Sequence, residues 1–107
     1  MSSPFEELAG LDRLVHDPAR LSILTALASC RSADFVFLQR LTALKMGNLS
    51  SHLSKLEEAG LVRSEKRFVH KRPNTLLQLT SKGRSTIERH WRQLEQLRKS
   101  ADKWSPE

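Results

Sequence analysis

The stretch around Gly60 limits this chain more than any other feature. Before it, Leu49, Leu53 and Leu56 recur at steps of four and three, which is one buried helical stripe. Asn48, Ser51, His52 and Lys55 fall on the opposite stripe at the same spacing. The spacing predicts a helix from about Gly47 to Ala59, with Lys45-Met46-Gly47 as the turn before it. Gly60 stands where a left-handed cap ends such a helix. Leu61 to Phe68 and Thr75 to Leu79 then read as two strands. Between them, Val69 to Asn74 has the Pro-Asn composition of a hairpin tip.

The remaining chain supports this pair of elements. Phe5, Leu8, Leu11, Leu14 and Val15 form one apolar stripe, predicting a helix over about Pro4 to His16. Asp17-Pro18 marks the next start: aspartate caps free amides, and proline suits the first helical position. That second helix runs to about Ser29, burying Leu21, Ile23, Leu24, Leu27 and Ala28. Arg31 to Asp34 reads as a break. Phe35-Val36-Phe37 fits a short strand or the start of a third helix; a helix to Leu44, capped by Asp34, is the preferred reading. Thr80 caps a long last helix to about Trp104. The expected class is α+β, mainly helical with a small hairpin, in a single domain spanning residues 1–107.

Charge narrows the partner. Eighteen basic side chains against twelve acidic ones give a net charge of +6. That balance favours polyanions. Five of the cations (Arg63, Lys66, Arg67, Lys71 and Arg72) crowd into the hairpin, with Glu65 the one acid among them. Lysine and arginine on an edge strand also discourage edge-to-edge pairing, so the cluster alone has a second reading. Its position directly after the polar helix favours nucleic acid. Entry into a groove needs short side chains that exchange hydrogen bonds with base edges. Asn suits adenine, Ser either edge, and His or Lys a guanine or a phosphate. Glu57 and Glu58 stand at the far end of the helix, away from such a contact.

Four segments, taken in order, resemble small winged helix-turn-helix transcriptional regulators of the MarR/ArsR-like superfamily, in particular the compact winged-helix DNA-binding domain group. They are His16 to Leu24, Gly47 to Leu53, Leu56 to Val62 and Leu79 to Arg84. The resemblance implies a homodimer on a pseudo-palindromic operator in duplex DNA. The helix-turn-helix would be about 35–60, the wing about 61–79 and the dimerisation helix about 80–104. It places the Gly47–Ala59 helix in the major groove and the 69–74 wing beside it. Relatives often carry Ser or Thr where Lys45 stands. Lysine cannot cap amides and meets the positive helix end unfavourably, so a nearby phosphate would relieve it. The expected DNA-contacting residues are therefore Lys45, Gly47, Asn48, Ser51, His52, Lys55, Lys66, Arg67, Lys71 and Arg72. Arg20 either stabilises the fold or reaches a phosphate. The paired-cysteine motif of the metal-sensing branch is absent, and no metal or cofactor is expected.

In the last helix, Ile87, Leu94 and Ala101 recur every seven residues, interleaved with His90, Leu97 and Trp104. This spacing can form a subunit seam or pack on its own domain. A helix of roughly 36 Å overhangs a small domain, which favours the seam. Leu11, Ile87, Trp91, Leu94, Leu97 and Trp104 are the expected interface.

Other functions find little footing. No Gly-rich phosphate loop, nucleophile elbow or HExxH motif is present, so no enzyme is expected. Asp12 and His16 lie four apart, a spacing common by chance. Cys30 is the only cysteine, which excludes an internal disulfide and suits a packing role. No apolar run nears the roughly 20 residues that span a bilayer. The start Met-Ser-Ser-Pro-Phe-Glu-Glu lacks a signal-peptide pattern. A cytoplasmic location without a membrane partner is expected. The alternative function is a winged-helix module that binds an acidic protein. The effector, if there is one, is not legible.

Overall fold

The computed structural model describes Glu6 and residues 11–104. Among these, four helices and three strands follow in the order α1 (Pro18–Ala28), β1 (Ala33–Asp34), α2 (Phe35–Thr42), α3 (Met46–Glu58), β2 (Val62–Val69), β3 (Arg72–Leu79) and α4 (Ser81–Ala101). A 3-10 turn, Asp102–Trp104, closes the described chain. The mainly helical α+β class and the long C-terminal helix are as expected.

Local chemistry sets the helix starts. The Asp17 carboxylate accepts from the Arg20 amide at 3.0 Å, and Pro18 takes the first position of α1. Asp34 does the same for α2 through the Phe37 amide at 2.8 Å. Thr80 Oγ1 accepts from the Gly83 amide at 2.9 Å and starts α4. Each cap satisfies a donor that the first helical turn leaves free.

Three expectations are corrected. The helix drawn to His16 does not reach it: residues 11–17 form turns, with the His16 amide bonded to Asp12 O at 2.7 Å. Its earlier positions Pro4, Phe5 and Leu8 lie outside the described residues. α2 ends at Thr42 because Ala43 is left-handed, φ 58°, so the turn into α3 is Ala43 to Lys45. Ala33 and Asp34, read as a break, pair with Leu77 and Leu76 and give β3 a second neighbour. The strand order is β1-β3-β2.

The hairpin also differs. β2 and β3 pair from Val62↔Leu79 out to Val69↔Arg72, so the turn is only His70 and Lys71. Both are left-handed, φ 51° and 64°, which is what a two-residue hairpin turn with the strands' twist demands. Pro73 and Asn74, expected in the tip, belong to β3 opposite Phe68 and Arg67. Val69 and Arg72 flank the turn as its hydrogen-bonded pair. The next pair, Phe68 and Pro73, is then a non-bonded one, so the proline's missing amide costs no ladder bond.

One core unites these elements. Ile23, Leu24 and Leu27 of α1 meet Leu38 of α2, Leu49, Leu53 and Leu56 of α3, the sheet residues Val62 and Leu77, and Ile87 of α4. Each fully buried side chain of this kind stabilises the fold by about 1.5–3 kcal/mol. At the join of α3 and α4, a Cβ on Gly83 would lie 2.0 Å from the Leu61 carbonyl oxygen, so only glycine allows this approach. The molecule measures 63 × 25 × 20 Å with a Cα radius of gyration of 16.5 Å. A compact chain of this length would have about 13 Å.

Candidate nucleic-acid interface

The leucine stripe of α3 sets what the helix shows to solvent. Leu49 and Leu56 are fully buried and Leu53 nearly so. At 3.6 residues per turn the opposite side centres on Ser51, and Gly47, Asn48, Ser51 and Lys55 are all exposed there. His52 is half-buried on the flank towards α1. Its Nδ1 lies 3.1 Å from Arg20 Nη1. The other flank carries exposed Ser50 and Ser54, which border a crevice of about 480 Å³ shared with Lys66 and Thr75 of the hairpin. These two serines were not among the expected site residues. The leucine spacing contained the signal, since it centres the exposed face between both flanks.

The start of α3 is open. Lys45 occupies the cap position and makes no side-chain bond to the first amides. There is no acid in the first turn. A Cβ added at Gly47 would meet nothing within 4 Å. Uncapped amides beside a lysine form a site suited to an anion.

Strand alternation divides the hairpin cations. Ser64, Lys66 and Phe68 share the face that looks towards α3, and Ser64 Oγ donates to Glu57 Oε1 at 2.8 Å. Arg63 and Arg67 lie on the other face, bonded across the ladder to Gln78 (2.9 Å) and Asn74 (3.0 Å). Arg72, opposite Val69, belongs with them, and Lys71 caps the tip. Lys66 is thus brought beside the polar face of α3, while Arg67 and Arg72 point away from it. A left-handed lysine costs on the order of 1–3 kcal/mol. Phe68 is 76% exposed. Its signal in the sequence is an aromatic interleaved with cations.

A family model described as winged helix DNA-binding domain matches residues 19–98. The chain belongs to that family. An uncharacterized protein of Methanocaldococcus jannaschii is 31% identical over 90 residues, 84% of this chain and 98% of that one. The structure of a transcriptional regulator homologue from Pyrococcus horikoshii OT3 matches with a TM-score of 0.83 at 30% identity, over 92% of this chain and 97% of the other. A MarR family transcriptional regulator from Silicibacter pomeroyi shares the fold, with a TM-score of 0.65 at 24% identity, over 96% of this chain and 67% of the other. DNA binding and transcription regulation come with this family and fold.

In this winged-helix protein α2, the turn Ala43 to Lys45 and α3 are followed directly by the β2–β3 hairpin. Arg20, left open by the sequence, is a structural hub. Its Nε donates to Leu14 O, Nη2 to Arg13 O at 3.3 Å, and the Asp17 carboxylate lies 3.7 Å away. The Arg20 amide and then its guanidinium hold the Asp17 carboxyl below the usual carboxylate range.

The last helix departs from the seam drawn for it. Ile87 is 1% exposed and belongs to the core of its own chain, which removes it from any subunit interface. Leu11 and Leu97 are covered within the single chain as well, at 5% each. Trp91 and Trp104 are about half exposed, and Leu94 is half-buried. His90 is buried and hydrogen-bonds His16, Nε2 to Nδ1, at 3.2 Å. Burial and then the neighbouring His16 push its pKa down. The Asp12 carboxylate accepts from the Leu14 amide at 2.9 Å. Among the described residues no three side chains are grouped to hold a metal, and no helix is long and apolar enough to cross a membrane. The Cys30 thiol bonds Ala26 O at 3.1 Å and packs half-buried against the core.

Proposed function

We propose that this winged-helix protein is a homodimeric transcriptional regulator that reads a pseudo-palindromic site in duplex DNA. α3 enters the major groove and offers Asn48, Ser51, His52 and Lys55 to base edges or adjacent phosphates. The wing lies against the flanking backbone, held by Lys66 from the inner face, by Arg67 and Arg72 from the outer face and by Lys71 at the tip. Lys45, Gly47 and the open amides of α3 receive a phosphate. The observation that carries this reading is the acid-free first turn of α3 beside a crevice that Met46 and Ser50 share with Lys66 and, towards the other end of the helix, with Glu57.

Dimerisation is supported by the molecule's length and by two half-exposed tryptophans, Trp91 on α4 and Trp104 in the 3-10 turn that follows it. Trp91, Leu94 and Trp104 contact the partner, while Leu11 and Leu97 are covered within their own chain. A two-fold axis then spaces the reading helices by one duplex turn, about 34 Å. The protein works in the cytoplasm with no cofactor and no catalytic step.

A salt titration with duplexes selected from a random pool tests this. Several phosphate contacts per subunit make affinity fall by orders of magnitude between about 50 and 200 mM salt. Undetectable binding to every duplex would falsify the DNA reading and leave the acidic-protein alternative. Loss of the dimer in Trp91→Ala, read by sedimentation, tests the interface.

A further inference from the structure

We infer that Arg20 is a positioning residue for base recognition: it holds His52 in the one tautomer that offers DNA a hydrogen-bond donor and no acceptor. This rests on the DNA-reading proposal above and specifies one of its contacts.

A guanidinium has five N–H donors, no acceptor and a permanent charge. The Arg20 Nη1 to His52 Nδ1 contact, 3.1 Å, is therefore a bond in which arginine donates. Nδ1 accepts, so it carries no proton, and the proton of the neutral ring sits on Nε2. Arg20 cannot swing away to relax this choice. Its side chain is only 12% exposed, and Leu14 O, Arg13 O and the Asp17 carboxylate hold its other nitrogens.

Nε2 is the far atom of the ring, and no described residue bonds it. His52 follows Asn48 by four residues and precedes Lys55 by three, so all three share one flank of α3. The free N–H thus belongs to the polar face that the helix turns to DNA. A histidine without a fixed tautomer can meet either a donor or an acceptor. This one is matched to acceptors alone: guanine O6 or N7, adenine N7 or thymine O4 in the major groove. It rejects the exocyclic amino group of cytosine. Arg20 thereby shapes sequence preference without touching a base.

Two measurements on the full-length protein decide the matter. The first is the imidazole nitrogen NMR spectrum of His52. An unprotonated Nδ1 and protonated Nε2 are expected; a protonated Nδ1, or averaging of both tautomers, overturns the inference. The second is duplex selection with wild type, Arg20→Met, Arg20→Lys and His52→Gln. In His52→Gln, Arg20 donates to the amide oxygen and leaves the amide nitrogen as the donor for DNA, so this variant should keep most of the preference. Folded Arg20→Met should lose about tenfold in discrimination at one base pair, with the salt slope unchanged, whereas Arg20→Lys, which still carries donors and no acceptor, should keep more of it than Arg20→Met. Uniform weakening over all sequences, with the preference intact, makes Arg20 merely structural and overturns the inference alone. Failure of wild type to bind any duplex overturns the DNA reading as well. The spectrum needs no substitution, so it stands even where the arginine variants fail to fold.

Discussion

The two ends of α3 are built in opposite ways. At the C-terminal end the chain secures itself. The Gly60 amide bonds Glu57 O at 3.0 Å and the Leu61 amide bonds Leu56 O at 2.9 Å, a Schellman closure with Gly60 at φ 77°. Lys82 Nζ reaches Ala59 O at 3.0 Å, and Thr80 Oγ1 donates to Gly60 O at 2.6 Å. At the N-terminal end, Lys45 contributes no cap bond and Met46 is 62% exposed. A helix end occupied by its own chain has nothing left for a ligand. An end left open, with a cation instead of a cap, has lost stability that a bound anion can restore. The contrast separates the end of the helix that the fold itself closes from the end that the proposed DNA contact would complete.

The largest effect should come from the closed end. Gly83→Ala drives a methyl into the Leu61 carbonyl, 2.0 Å away, and the α3–α4 junction must open. We expect a loss of about 2–3 kcal/mol, on the order of 10 °C in Tm for a domain of this size. Calorimetry checks it, and an unchanged Tm means the junction is slack and the comparison fails. Thr80→Ala removes both the cap on α4 and the bond to Gly60 O. It should cost about 1–2 kcal/mol in urea unfolding, with Thr80→Ser close to wild type. Neither change should alter the DNA affinity of the molecules that remain folded.

These junctions also mark how far the chain could be read in advance. Asp17-Pro18, Gly60 and Thr80 act within a few residues of themselves, and the leucines of α3 follow a helical period. Such features are legible because their physics is local. The β1 pairing is not, since two residues acquire their ladder only from Leu76 and Leu77 more than forty positions away. The hairpin turn went to His70 and Lys71 because the register starting at Val62↔Leu79 overrides the preference of Pro-Asn for a tip. Ile87 shows a limit of a different kind. A seven-residue spacing states that a face is buried but leaves open which chain buries it. The helical spacing places His52 beside the polar residues of α3, but its partner Arg20 lies 32 positions away and left no pattern.

The open end gives smaller effects with the opposite sign. Lys45→Ser supplies the missing cap, and stability should rise by about 0.5–1 kcal/mol. DNA affinity should fall, and the salt slope should drop by about one for each lost phosphate contact. A variant that is both more stable and unchanged in binding would show that Lys45 faces only solvent.

Gly47→Ala is the smallest and sharpest of these changes. Nothing lies within 4 Å of the added methyl and the φ is not positive, so the fold gives no reason for glycine here. Alanine favours helix over glycine by up to about 1 kcal/mol, less in a first turn. Thermal unfolding should therefore show a gain of roughly 0.5 kcal/mol. If a phosphate sits against the open amides, the same methyl stands in its way, and affinity should fall several-fold. No charge is removed, so the salt slope should hold, unlike in Lys45→Ser. The pair of variants thus distinguishes close backbone approach from simple attraction at the same helix end. If Gly47→Ala binds DNA as tightly as wild type, the phosphate lies elsewhere on α3. The bare N-terminus would then be only an uncapped helix, and the difference between its two ends would have no functional meaning.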